Sequence, residues 1–341
     1  MNTTEILKSL TQCTGVTGDE YNDAGQTAER IVKKFGEVIR TASGSVAVHV
    51  PGNGKKILLD AHLDRIGLIV TAIDKSGFLR VGACGGVDRR VMAAARVTVL
   101  GKERIDGVII STPPHLAKSE DADKALNLDD AAVDTGLDFD EVSKIVGIGD
   151  RIIFTGDFTP LANRLVTAPA LDDRAGMTAL ICVLDRLKTN GRANADITVL
   201  FSSQEEVTGA GAKTGAYEFE PDEAIAVDVS FAAAPGVKET ESGKLGDGPM
   251  ICISPSLSNE FSAELINTAK EAKIKYQTEI CPSDTGTNAD SITVSRSGVK
   301  TAVVSIPQRN MHTQAEIVSI ADIDACADLI YEYIIKAGGE K

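Results

Sequence analysis

Residues 199–211 read "VLFSSQEEVTGAG", and they set two adjacent glutamates, Glu205 and Glu206, directly behind an apolar run. The run itself, "ADITVLFSS" (195–203), is β-branched and almost uncharged after Asp196, which is the composition of a buried strand. A buried strand usually ends in a turn made of Gly, Asn or Asp. Neighbouring carboxylates repel each other, and removal from water raises that cost. Either this strand end is solvated, where glutamate is unremarkable, or a cation balances it.

Outward from this segment, helix and strand patterns alternate. Ahead of it, "DDRAGMTALICVLDRLKTNG" (172–191) reads as a helix and "KKILLDAHLD" (55–64) as a buried strand ending on polar residues. Behind it come a helix start at "GAGAKTGAYEF" (209–219), a strand at "DEAIAVDVS" (222–230) and a helix at "NEFSAELINTAKEAKI" (259–274). A strand at "KTAVVSIP" (300–307) and a closing helix over 319–337 complete the series. Such alternation predicts an α/β fold, a sheet with helices on both faces. Between about Gly67 and Arg164 the texture differs. "GLIVTAI", "FLRVGAC", "RVTVLG", "DGVIIST" and "DRIIFTG" are short β runs separated by Gly and Asp. They predict a small β-rich module at 67–164, inserted into a discontinuous α/β domain of residues 1–66 and 165–341. An acidic, partly helical excursion is expected within it, at 118–145.

Composition narrows the function. The chain has 341 residues, 43% hydrophobic and 25% charged, with 4% aromatics, no Trp and a net charge of −14. That is globular, with a core of Ala, Val, Ile and Leu. The acidic balance disfavours nucleic-acid binding. The six cysteines have no C-x-x-C or framework spacing, which favours reduced thiols and a cytoplasmic location. No basic leader and no apolar span of membrane length is read, so no membrane partner is expected.

In open α/β sheets, sites collect beyond the carboxyl ends of the strands. The predicted strands end near His62 and Asp64, at Glu205 and Glu206, at Asp228 and at His312, and Asp172 with Asp173 opens a helix. Only four histidines exist, and two fall in this set; His49 and His115 read as structural or surface residues. Two imidazoles with several carboxylates form a borderline-hard donor set suited to Zn²⁺, Co²⁺ or Mn²⁺. A carboxylate shared by two cations explains how so many anionic groups coexist. Of the glutamate pair, one can ligate while the other stays free as general base for a hydrolytic water.

The segments "AHLDRIG", "ALDDRAGMTAL", "SSQEEVTGAGA", "VDVS", "GTNADSITVSRSGV" and "SIPQRNMHT", in this order, resemble the dinuclear metallo-aminopeptidases of the glutamyl and tetrahedral (TET) aminopeptidase family. Some members of that family carry endoglucanase-type names. The resemblance covers almost the whole chain. It implies a mixed, zinc-exopeptidase-like sheet flanked by helices, and a PDZ-like or barrel insertion used for dimerisation. It implies that His62, Asp172 and Asp228 hold one metal, that Asp172, Glu206 and His312 hold the other, that Glu205 is the base, and that Asp64 orients the first histidine. The implied activity is removal of N-terminal residues from oligopeptides, by dimers assembled into a dodecamer. Two positions depart from the family pattern. Arg65 replaces the usual Glu, which suggests an effect on substrate charge preference or metal retention, against the plain reading of a surface arginine. Asn288 replaces the Asp of a G-T-D-A segment, which puts a substrate-amine contact by that loop in question.

Other readings fit parts of the pattern. A glycoside hydrolase also uses two carboxylates, but about 5–9.5 Å apart across a sugar, and a polysaccharide cleft normally offers aromatic platforms. An N-acyl deacylase of related di-metal type and a non-catalytic scaffold are the remaining alternatives.

Overall fold

The computed structural model describes residues 1–113, 115, 116, 124–191 and 194–338. Most of the expected acidic excursion is described, but its residues 118–123 lie outside these.

Among the described residues the chain starts with helices α1 (Thr3–Thr11) and α2 (Gln26–Val32), then strands β1 (Glu37–Arg40), β2 (Val46–Val50) and β3 (Lys56–His62). Strands β4 (Gly67–Ile73), β5 (Leu79–Cys84), β6 (Arg96–Leu100), β7 (Arg104–Ile110) and β8 (Ala132–Asp134) follow. Helix α3 (Phe139–Ile145) then precedes β9 (Arg151–Phe154). The chain continues through β10 (Thr159–Pro160), β11 (Leu165–Ala168), α4 (Leu171–Thr189), β12 (Asp196–Ser202), α5 (Ala210–Phe219) and β13 (Glu223–Phe231). It closes with β14 (Met250–Ile253), α6 (Asn259–Ala272), β15 (Gln277–Ile280), α7 (Ala289–Thr293), β16 (Lys300–Arg309), β17 (Glu316–Ser319) and α8 (Ile320–Ala337).

The α/β sheet expected from the alternation is present, and it is mixed, as the resemblance implies. Its order is β1-β2-β12-β3-β13-β16-β17-β11-β10, with β14 against β16 and β15 beyond it. Strands β12, β3, β13 and β16 are mutually parallel neighbours, so their carboxyl ends share one edge. Their sequences are near-continuous apolar runs because both faces are covered. Helix α4 is buried almost all round, from Leu171 to Leu184, and packs on β3 and β13. That explains why its sequence carries little amphipathic contrast.

Strands β4 to β9 close into a six-stranded barrel in the order β4-β5-β8-β7-β6-β9. It has its own core, including Leu68, Val70, Val97, Val99, Ile109, Val133 and Ile152. Closure pairs each of these strands on both sides, which is what barrels accomplish. The boundary expected between 164 and 165 falls within a hairpin. Thr159 and Pro160 pair with Val166 and Thr167, so both strands belong to the large sheet. Strands β14, β15 and β17 and helix α7 were not anticipated, being only four or five residues each. No helix among the described residues is long and apolar enough to cross a membrane.

Candidate metal centre

The four parallel strands deliver the anticipated residues to one place. His62 is the last residue of β3 and lies level with Ser202, the last of β12. Asp228 sits in β13 level with Ser305 of β16. Asp172 enters at the start of α4, and His312 on the turn after β16. Three of these turns hold a non-glycine residue in the left-handed region, Ala170 (φ 57°), Gln204 (φ 61°) and His312 (φ 62°). Such conformations concentrate where a fold must aim a side chain.

Asp172 is the centre of the cluster. Its Oδ1 lies 2.9 Å from His62 Nε2 and its Oδ2 lies 3.2 Å from His312 Nε2. Asp228 Oδ1 is 3.8 Å from His62 Nε2, and Glu206 Oε2 is 3.5 Å from His312 Nε2. Two donor triads result, His62–Asp172–Asp228 and Asp172–Glu206–His312, each within 4.8 Å and sharing Asp172. Glu205 belongs to neither triad but lines the same cavity, of about 680 Å³, with His62, Asp228 and His312.

Both imidazoles are oriented through Nδ1 by main-chain carbonyls, which can only accept. His312 Nδ1 donates to Gly86 at 2.8 Å and His62 Nδ1 to Asp64 at 3.1 Å. The proton therefore sits on Nδ1, and Nε2 faces the carboxylates. Gly86 lies on the loop after β5, and a Cβ there would stand 2.9 Å from His312 Nδ1, so only glycine lets the barrel loop approach the ring.

The anticipated role of Asp64 changes in detail. Its carboxylate is 3.6 Å from His62 Nδ1, beyond hydrogen-bond range. Instead Oδ1 accepts from Glu205 N at 3.0 Å, and Oδ2 accepts from Glu206 N at 3.2 Å and Thr17 Oγ1 at 2.8 Å. Fully buried, Asp64 clamps the turn that carries the two glutamates. Three further residues take parts that sequence reasoning did not assign. Glu316, buried, accepts from Asp172 N at 3.2 Å and His312 N at 2.9 Å, tying both ligand loops together. Asp173 accepts from His62 N at 3.2 Å and caps α4 at Gly176 N at 2.8 Å. Asp60, fully buried, lies two residues before His62 in β3. For Glu316 the one sequence signal is a lone charge opening the apolar run "EIVSI", four residues after His312.

Arg65 is neither on the surface nor in the cavity. It is 3% exposed, and its Nη2 reaches the Phe154 carbonyl at 3.4 Å. Burial, then the like charge of Arg174, lowers its pKa to about 10, while Glu316 and Glu206 oppose this. Its charge therefore acts on those carboxylates from behind the site, and it offers no guanidinium to a substrate. Asn288 is likewise buried. Its Nδ2 donates at 2.8 Å to both Asp60 Oδ2 and Ser202 Oγ, beneath the cavity rather than in it. Burial raises Asp60 to about 7 despite the Ser202 and Asn288 hydrogen bonds. Asn288→Ala removes both donations and is expected to cost about 1–3 kcal/mol of stability in a urea unfolding experiment. KM for the substrate is expected to stay unchanged; a KM shift without loss of stability would make Asn288 a substrate contact after all. His49 pairs with Asp196 at 2.7 Å on the sheet, and His115 lies in an exposed turn, as anticipated for both.

The charges in this cluster fit cations. Burial drives the carboxyls of Asp228 and Glu206 well above the ordinary range, with Asp172 adding repulsion for Glu206. The imidazoles shift the other way from their own burial penalty. Contact with Asp172 overrides desolvation and lifts His312 to about 9 and His62 well above its usual value. The protein atoms alone thus balance the carboxylates only by holding protons. Glu206 Oε1 is buried with no hydrogen-bond partner. Imidazole and carboxylate donors with such an orphaned oxygen suit one divalent ion per triad.

Comparisons with known proteins show the family. The sequence profile of the M42 glutamyl aminopeptidases matches residues 44–329. The chain belongs to this family of aminopeptidases, hydrolases of peptide N-termini. It is 34% identical over 326 residues to the lysyl aminopeptidase of Pyrococcus furiosus, covering 94% of this chain and 93% of that one. Its fold matches the TET aminopeptidase of the marine sediment archaeon Thaumarchaeota archaeon SCGC AB-539-E09 with a TM-score of 0.93 at 30% identity, over 98% and 96% of the two chains. It also matches the TET1 peptidase of Pyrococcus horikoshii with a TM-score of 0.88 at 29% identity, over 98% and 100%.

Proposed function

We propose that this chain is a dinuclear, metal-dependent aminopeptidase acting on oligopeptides. The observation that carries the reading is Asp172, whose two oxygens face the two histidine Nε2 atoms at 2.9 and 3.2 Å. In this reading His62, Asp172 and Asp228 hold one divalent cation and Asp172, Glu206 and His312 the other; Zn²⁺ and Co²⁺ suit the donors best, and Mn²⁺ is the third candidate. Bound as a pair, such ions supply Lewis acidity at a peptide carbonyl and lower the pKa of a water. The protein's own part is distinct. Glu205 takes the proton from the hydrolytic water and returns it to the leaving amine. Asp64 fixes the turn so that adjacent glutamates serve different roles. Gly86 and the Asp64 carbonyl hold the imidazoles in the tautomer that ligates.

The glycosidase alternative loses ground because Glu205 and Glu206 flank no sugar-sized gap as neighbours on one turn, and the cavity lining holds a single aromatic, Phe231. Chelation tests the reading. Hydrolysis of aminoacyl-p-nitroanilides is expected to stop with a chelator and return with Zn²⁺, Co²⁺ or Mn²⁺, at about two ions per chain by elemental analysis. Chelator-resistant turnover, or cleavage of carboxymethylcellulose or N-acyl substrates instead, would sink it.

The closed barrel of 67–154 is read as an inserted module through which chains pair. Its support is apolar exposure on that unit, Val91 at 45%, Val108 at 41%, Phe139 at 43% and Ile148 at 75%. The TET1 peptidase assembles into a tetrahedron or a large octahedral shell, and its dodecamer is known. A dodecamer is expected here by light scattering in metal-replete buffer; a monomer would contradict it.

A further inference from the structure

The wall of the same cavity carries a second group of ligand-type side chains. Cys252 lies in β14 level with Glu279 of the parallel strand β15, and Cys281 follows two residues on, on the same face. The ladder continues that far, since Cys281 N donates to the Ile253 carbonyl at 3.0 Å. Residues 29 apart in sequence therefore meet with their Sγ atoms 3.2 Å apart. One donor atom from each of Cys252, Glu279 and Cys281 falls within a 4.8 Å group, and all three side chains line the cavity.

We propose that Cys252, Cys281 and Glu279 form a binding site for a thiophilic divalent cation of the Zn²⁺ type, separate from the histidine cluster. Both cysteines are free thiols, and their separation is far beyond the roughly 2.05 Å of a disulfide. Two thiolates on one tetrahedral zinc stand about 3.8 Å apart, from Zn–S bonds of about 2.3 Å. Small side-chain rotations bring the observed pair to that spacing. The carboxylate is already oriented as a ligand would be. Glu279 accepts from Ser230 Oγ through Oε1 and from Ser305 Oγ at 2.9 Å through Oε2. Each oxygen keeps a further lone pair, and outer hydrogen bonds of this kind fix ligating carboxylates. Glu279, Asp290 and Asp284 add negative potential at Cys281, which favours a cation there. Two sulfurs and one oxygen leave a fourth position open to the cavity, through which the ion enters. Soft donors distinguish this site from the nitrogen and oxygen donors of the histidine cluster. The inference holds whether or not that cluster is catalytic.

Cobalt titration of the full chain, kept reduced with a phosphine, tests it. Thiolate ligation gives an intense near-ultraviolet sulfur-to-cobalt charge-transfer band, which histidine and carboxylate ligands do not give. The wild type is expected to develop this band. Cys281→Ser and the double variant C252S/C281S are expected to lose it and to bind one Co²⁺ fewer per chain by equilibrium dialysis. Their visible cobalt bands should persist. Glu279→Gln should weaken the band's apparent affinity at least about tenfold. Circular dichroism checks the folding of each variant, and Cys281→Ala, at a half-buried strand end, is the substitute if the serine variant misfolds. Absence of the band in the reduced wild type, its survival in the double variant, or equal cobalt counts in all proteins would overturn the proposal.

Discussion

Glu205→Gln is expected to retain its metals and lose about 10²- to 10⁴-fold in kcat, the usual contribution of a positioned general base. The amide keeps the shape of the side chain but cannot take a proton from water. KM should change little, because an isosteric neutral group leaves the cavity walls in place. The structure supports Glu205 over Glu206 for this role. Glu206 stands 3.5 Å from His312 Nε2 within a donor triad, whereas Glu205 lies in neither. Their roles separate because Asp64 holds both of their main-chain N–H groups. Burial, with the charges of Asp172 and Asp64, raises the Glu205 carboxyl above its ordinary value, as suits a base working near neutrality. Glu206→Gln is the control. If it keeps its metals and loses turnover while Glu205→Gln stays near wild-type kcat, the two assignments are exchanged.

The residues that touch the cluster were legible in the sequence because their types are costly elsewhere. His62, Asp172, Glu206, Asp228 and His312 end or follow apolar runs, where an unpaired charge is expensive. The alternation of buried strands and helices is enough to place those ends on one edge of a sheet. The second layer was not legible, because its chemistry is shared with ordinary loops. Glu316 reads as a surface charge until the fold sets it between the main-chain amides of Asp172 and His312. Arg65 illustrates the opposite error. One residue beyond a site motif it suggested a hand for the substrate, but its chain turns inward toward Phe154. The thiol pair was invisible for a third reason. Cys252 and Cys281 approach only through the pairing of β14 with β15, and both strands are too short for periodicity to reveal.

Asp172→Ala is expected to empty both sites and to lower kcat/KM at least about 10³-fold, since loss of several kcal/mol of Lewis-acid stabilisation corresponds to that factor. Asp172 is the one side chain common to both triads. In the proposed reading every other ligand serves a single ion, so His312→Ala should empty mainly the site it shares with Glu206, leaving about one ion per chain in elemental analysis. The alanine variant is expected to fold, because the hydrogen bond from residue 172 to Glu316 is made by its main-chain nitrogen and survives the change. Asp172→Asn sharpens the test. The amide keeps the volume and one carbonyl acceptor but carries no charge and can bridge poorly, so it should retain less metal than His312→Ala. Removal of Asp172 also leaves two imidazoles without the carboxylate that raises their pKa. They then lose protons as the pH approaches neutrality, and this should not restore binding if the bridge is what the cations require. Two ions per chain in Asp172→Ala, at the affinity of the wild type, would mean that the triads act separately and that the shared carboxylate is not the centre of the site.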